Sequence, residues 1–360
     1  MGSSCACLVV NTVRKDPALR RSDETLLLEK TAKASSFFAS FANEIRRNLQ
    51  MEMIISLILL VVGFVLLVKG ADWFVDGSSS IAARLGIPQL VIGLTIVAMG
   101  TSAPEAAVSI TAAIQGSADI TIGNIVGSNI LNILIILGLA SFLTCIHVAK
   151  STVFREIPFM ILVTVLLLGL GMDGTISMLD GIILWAAFLV YLGYLFRMAK
   201  NGEAEEDGSI NTERTIWKST LWTVVGLVLI VLGSDIAVDA ATSIARILGM
   251  SERLIGLTIV ALGTSLPELF TSVSAAKKGN ADIAIGNIVG SNIFNILFVV
   301  GTSALVTPIP FAAAFRTDTV IAIAAAVLLL ICCLHHYRLS RKSGITMLAS
   351  YATYFAVMLM

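Results

Sequence analysis

The hexapeptide GTSAPE occupies residues 100–105, and GTSLPE occupies residues 263–268. Each lies inside an apolar run long enough to cross a bilayer, which takes about 20 residues. Glu105 is the only ionisable residue in 90–114, and Glu268 is the only one in 254–276. A carboxylate near the midplane costs about 2.5–3.5 kcal/mol on insertion scales unless something compensates it. A single such residue reads equally well as a protonated glutamate packed between helices. Two copies, each beside hydroxyls and a helix-breaking proline, point to a functional site.

The copies belong to a longer duplication. Residues 93–138 and 256–301 align at an offset of 163, with 31 of 46 positions identical. At the same offset VKGADWFVDGSSSIA (68–82) matches VLGSDIAVDAATSIA (231–245). Apolar runs place segments near 53–70, 88–114, 120–146, 157–172 and 178–196, then near 219–235, 254–276, 283–306, 319–334 and 345–360. The expected fold is an all-α membrane protein of ten transmembrane helices in two five-helix repeats, 51–197 and 219–360, joined by a linker at 198–218. An odd number of spans makes the second repeat enter from the opposite side, so the repeats are inverted.

Composition agrees with this class. The chain has 360 residues, 57% hydrophobic and 13% charged, with zero formal net charge. Its five cysteines have no metal-ligand spacing, and no basic stripe with interleaved aromatics supports nucleic-acid binding. Counted from Met51, thirteen Lys and Arg residues fall on the side of the central loop; the opposite side has Arg246, Arg253 and Arg316. The positive-inside rule then makes the central loop cytoplasmic and the C-terminus external, in a multi-pass cell-membrane protein. Residues 1–50 differ. They hold eight Lys and Arg with several acids and no long apolar run, so neither a signal nor a transit peptide fits. A mobile tail or an upstream mis-start is the expectation there.

The residues around each glutamate define the chemistry. Pro104 and Pro267 lack an N–H, so a carbonyl one turn back loses its helical partner. Such carbonyls are tolerated within a membrane where they face a polar cavity or an ion. Thr101 and Thr264 precede the glutamates by four residues and share their helix faces; Ser102 and Ser265 flank them, and Ser109 and Ser272 extend the stripe. In GNIVGSNILN (123–132), Asn124, Ser128 and Asn132 recur every fourth residue, as do Asn287, Ser291 and Asn295 in GNIVGSNIFN (286–295). Gly123, Gly127, Gly286 and Gly290 read as helix contacts. Every candidate ligand is oxygen, which suits Ca²⁺ and Na⁺ rather than zinc, copper or iron. Two carboxylates balance one Ca²⁺ or part of a set of Na⁺ ions.

The duplicated GTSAPE…GNIVGSNILN and GTSLPE…GNIVGSNIFN resemble the α-repeats of the Ca²⁺/cation antiporter superfamily, with prokaryotic Na⁺/Ca²⁺ exchangers the near match. The resemblance covers residues 51–360. It implies ten helices with a pseudo-twofold core, and a secondary antiporter exchanging Na⁺ for Ca²⁺ by alternating access, with no cofactor and no enzymatic activity. It implies Glu105 and Glu268 as central ligands, hydroxyls from Thr101, Thr264, Ser128 and Ser291, and carbonyls of Ala98 and Ala261 at outer Na⁺ sites. Asn132 and Asn295 occupy the middle polar position. Some exchangers carry aspartate where this chain has Asn295, so K⁺ coupling and stoichiometry stay open. Residues 198–218 are too few for a regulatory domain, and the acidic cluster at 203–207 reads as a solvated linker. Asp72/Asp76 and Asp235/Asp239 repel at i,i+4 and are expected to face water; Asp119 and Asp282 are given no role. The rivals are a Ca²⁺/H⁺ antiporter and an intramembrane hydrolase, the latter disfavoured because equivalent carboxylates lack the split pKa values that acid/base catalysis uses. A functional monomer is expected.

Overall fold

The computed structural model describes residues 20–201, 215–250, 259, 261–334 and 336–359. The acidic cluster at 203–207 lies outside them, as do Arg253 and most of 251–260. The chain divides into two units at Ser56/Leu57. In the first unit the described residues, 20–56, are helical. From residue 18 to 50 the sequence has no Gly or Pro and is rich in Leu, Ala, Glu and Lys, a composition that favours helix.

The elements run in order α1 (Arg20–Leu85), α2 (Gln89–Ile92), α3 (Ala98–Thr101), α4 (Ala103–Ile114), α5 (Ala118–Leu131), α6 (Gly138–Leu143), β1 (Ile146–His147), α7 (Ile157–Leu170), β2 (Thr175–Ile176) and α8 (Met178–Asn201). After the linker come α9 (Ile216–Ile247), α10 (Ala261–Gly263), α11 (Leu266–Lys277), α12 (Ala281–Phe294), α13 (Gly301–Val306), β3 (Ile309–Pro310), α14 (Ala313–Leu334), β4 (Arg338–Leu339) and α15 (Arg341–Leu359). Wider π-helical turns occupy Gly93–Val97, Asn132–Leu137, Thr152–Glu156 and Asn295–Val300.

Among the described residues, seven helices are long and apolar enough to cross a membrane. The pair Gln89–Thr101 and Ala103–Ile114, bent by 50°, passes the same test of length and apolarity when taken together, as a broken span or a re-entrant loop. The fold is therefore a mostly helical, multi-pass membrane architecture. The bend falls at Ser102 (φ −83°, ψ 5°), two residues before Pro104, and Ser265 (φ −94°, ψ 5°) repeats it before Pro267.

One expected boundary is corrected. The first helix does not stop near residue 70 but continues to Leu85, and α9 continues to Ile247. Phe74, Val75, Ser78 and Ala82 bury one side of this extension, so packing holds the polar stretch helical. Within the second unit, α1 and α9 cross antiparallel: a Cβ on Gly63 would meet Ala237, and one on Gly70 would lie 2.8 Å from the Ile230 nitrogen. Gly233, the counterpart of Gly70 at offset 163, stands likewise 2.8 Å from the Leu67 nitrogen. Only glycine permits backbones this close. Short antiparallel ribbons join β1 to β4, with Ile146 opposite Leu339, and β2 to β3, with Ile176 opposite Ile309.

Candidate ion-binding site

The two bent motifs meet in the interior of the second unit. Glu105, at the start of α4, and Glu268, at the start of α11, are both fully buried. Each carboxylate is bonded by the serine at the bend of the other copy. Ser102 Oγ donates to Glu268 Oε1 at 2.7 Å, and Ser265 Oγ donates to Glu105 Oε1 at 3.4 Å. The second oxygens, Oε2 of both glutamates, are buried with no hydrogen-bond partner.

Further residues close around them. Thr101 Oγ1 reaches the carbonyls of Val97 (3.1 Å) and Ala98 (3.3 Å) and, across the copies, Asn287 Oδ1 (3.0 Å). Asn124 Nδ2 donates to Ser109 Oγ at 2.9 Å and to the Glu105 carbonyl at 3.5 Å. Asn287 repeats this with Ser272 Oγ at 2.8 Å and the Glu268 carbonyl at 3.3 Å. These amides tie α5 and α12 to the backbones that carry the glutamates. Ser291 Oγ approaches the Ala98 carbonyl at 3.4 Å, whereas Ser128 Oγ bonds back to the Asn124 carbonyl at 2.7 Å. Thr264 Oγ1 is buried without a partner, and Ala261 opens α10.

Asn132 and Asn295 are fully buried, each heads a π-helical stretch, and each leaves its Oδ1 unpartnered. Four matched acceptors thus have no donor: two carboxylate and two amide oxygens. Buried oxygens without donors are destabilising unless a cation or water meets them. Among the described residues, no group of three or more His, Cys, Asp or Glu is placed to hold a metal. Two carboxylates amid neutral oxygens instead suit a cation that is bound and released.

Sequence spacing missed Asn129 and Asn292. They lie three residues from Asn132 and Asn295, off the every-fourth-residue face that the periodicity highlights, and they bond to each other's backbone. It also missed Glu156, buried and hydrogen-bonded by the Tyr194 hydroxyl; its repeat counterpart is Thr319, a mismatch that was the available signal. Asp72 and Asp76 do not simply face water as like charges: Lys278 Nζ lies 3.4 Å and 2.7 Å from them, and Ser274 Oγ donates to Asp72 at 2.7 Å.

A multi-pass helical protein with two buried carboxylates amid neutral oxygens, at the contact of two duplicated motifs, has the chemistry of a site for hard cations. The chain belongs to the sodium/calcium exchanger family, whose model matches residues 55–197 and again 218–360. It is 33% identical to the sodium/calcium exchanger MaX1 of Methanosarcina acetivorans, over 84% of this chain and 98% of that protein. It is 42% identical to CaxA of Alkalimonas amylolytica, over 84% of this chain and 98% of the relative. Structures of the sodium-calcium exchanger NCX_Mj superpose with a TM-score of 0.74 at 34% identity, covering 84% of this chain and 99% of that one. The protein is therefore a membrane antiporter of the cation/Ca²⁺ class, with Ca²⁺ and Na⁺ as the family's transported ions and no cofactor.

Proposed function

We propose that this antiporter exchanges Na⁺ for Ca²⁺ by alternating access, with Glu105 and Glu268 binding either one Ca²⁺ or Na⁺ ions in turn. The observation that carries this reading is the pair of buried carboxylates bonded by neutral hydroxyls of the opposite copy, each with one oxygen left over. Such a site balances its charge only when a cation is present, and ions of different charge compete for it. Thr101, Thr264, Ser102, Ser265, Ser128, Ser291, Asn132 and Asn295 supply further oxygens, with the carbonyls of Ala98 and Ala261 at the ends. The relatives support the counter-ion: MaX1 is named a sodium/calcium exchanger, and NCX_Mj was studied with Na⁺, Ca²⁺ and Sr²⁺.

The reading includes ten spans in two inverted five-helix repeats, with the central loop cytoplasmic, the C-terminus outside and a monomer as the working unit. The antiparallel α1–α9 contact supports the inversion, since the two are repeat counterparts. The β1–β4 ribbon joins two connections assigned to the cytoplasmic side, and the β2–β3 ribbon joins two assigned to the outside.

The test is Ca²⁺ flux into sealed vesicles holding the purified chain. An outward Na⁺ gradient should drive uptake, and Glu105→Gln or Glu268→Gln should reduce it about 100-fold or more, as removal of a charged pocket ligand implies. Uptake that follows a pH gradient and ignores Na⁺ would instead identify a Ca²⁺/H⁺ antiporter.

A further inference from the structure

The side-chain amides of Asn132 and Asn295 each have one end that attracts a cation and one that repels it: Oδ1 accepts, whereas Nδ2 only donates. Which end meets the ions decides whether these residues help or hinder binding. The hydrogen bonds around them fix that choice. Asn129 Nδ2 donates to the Asn292 carbonyl at 3.2 Å, and Asn292 Nδ2 donates to the Asn129 carbonyl at 3.1 Å. A backbone carbonyl can only accept, so these two bonds leave no freedom to flip either amide. Asn292 Oδ1 is then the atom presented to Asn132, and it receives Asn132 Nδ2 at 3.0 Å. Asn129 Oδ1 likewise receives Asn295 Nδ2 at 3.2 Å. With both nitrogens engaged, the ends left over are Asn132 Oδ1 and Asn295 Oδ1, buried without partners.

We infer that Asn129 and Asn292 are positioning residues, a reciprocal amide clasp between the copies that locks Asn132 and Asn295 with their oxygens toward the transported hard cation. The inference rests on the ion pocket proposed above and adds the reason its neutral ligands face it correctly. The clasp is 3% and 2% exposed, too buried for water to replace its bonds readily. It also links the motifs of both copies, so one pair of bonds sets the ligand geometry of both halves.

The test uses the full chain in vesicles, with apparent KM and maximal rate for Ca²⁺ and Na⁺ and a melting temperature for each variant. Asn292→Leu should raise the ion KM roughly tenfold, the factor to which about 1.4 kcal/mol corresponds, and should change the maximal rate less. Asn132→Leu/Asn292→Leu should be no worse than Asn132→Leu alone, because the clasp acts through Asn132. Asn132→Asp should restore the KM in the Asn292→Leu background, since a carboxylate presents an acceptor whichever way it turns. A merely structural role would give additive losses and no such rescue. If Asn292→Leu does not fold, Asn129→Ser at the matching position should show the same KM rise, rescued by Asn295→Asp. An unchanged KM in Asn292→Leu beside a raised one in Asn132→Leu overturns the clasp and leaves the pocket standing. If Asn132→Leu and Glu105→Gln both leave Ca²⁺ flux intact, the pocket itself is wrong and the clasp falls with it.

Discussion

Two pairs of carboxylates in this molecule are treated in opposite ways. Asp72 and Asp76 on α1 have side chains 36% and 34% exposed, and Lys278 from the far copy lies against both. Glu105 and Glu268 are fully buried, and among the described residues the side chains that bond their carboxylates are neutral hydroxyls, Ser102 and Thr101 on Glu268 and Ser265 on Glu105. The more expensive site thus has less fixed compensation. Burying a charge without a partner costs several kcal/mol, whereas a half-exposed pair costs little with or without one. A fixed lysine in the interior would satisfy the glutamates permanently and close the site to ions. Among the described residues no lysine bonds them and four acceptor oxygens are left over, which is the contrast that the proposed transport site rests on.

The largest expected effect tests whether the interior pair is completed by ions. In ion-free buffer no cation meets the unpartnered oxygens of the two glutamates, so added Ca²⁺ should raise the melting temperature of the wild-type chain. At about 100 times Kd, mass action stabilises by about 2.7 kcal/mol. Glu105→Gln/Glu268→Gln should lose this dependence and, in ion-free buffer, should melt no lower than wild type. Thermal unfolding in detergent with and without Ca²⁺ reads both effects. A double variant that still gains stability from Ca²⁺ would break the contrast, because the ion would then bind elsewhere.

A smaller effect sharpens the contrast within the pocket. The Ser102–Glu268 bond, at 2.7 Å, is short and charge-assisted, and the Ser265–Glu105 bond, at 3.4 Å, is near the limit of bonding. Bonds to charged groups contribute about 1.5–3 kcal/mol, so Ser102→Ala should raise the ion KM roughly tenfold or more from one side of the membrane. Ser265→Ala should raise it by about threefold or less there, since a bond that long contributes a fraction of the range. If the copies exchange conformations when access switches, measurement from the opposite side should reverse the ranking. The same ranking from both sides would mean that the asymmetry is built into the sequence and not into the state.

Much of this was legible before any coordinates. Glu105, Glu268 and their flanking hydroxyls stand out because a charge in an apolar run is costly and the run occurs twice. The bend was legible from Pro104, although it falls at Ser102 rather than at the proline. Hidden from the sequence was everything set by pairing between copies. The exchange of serines across the pocket and the bonds of Asn129 and Asn292 arise only when the two motifs face each other. The π-helical turns at Asn132 and Asn295 were hidden too, because a 3.6-residue period assumes a regular helix. The helical continuation through Asp72 and Asp76 was misread because the lysine that relieves their repulsion lies 202 residues away.

That lysine gives the smallest expected effect. Exposed ion pairs contribute about 0.2–1 kcal/mol, so Lys278→Gln should lower stability by no more than that and leave Ca²⁺ flux near wild type. The loss should shrink further in high salt, where surface charges are screened. The first copy already carries the substituted residue, Gln115, at the matching position, so the variant brings the copies closer in sequence without touching the pocket. Paired vesicle flux and thermal unfolding at low and high salt read the outcome. A tenfold loss of flux with unchanged stability would overturn the assignment of these aspartates to structure. It would place Asp72 and Asp76 on the route by which cations reach the interior, with Lys278 as the charge that gates them.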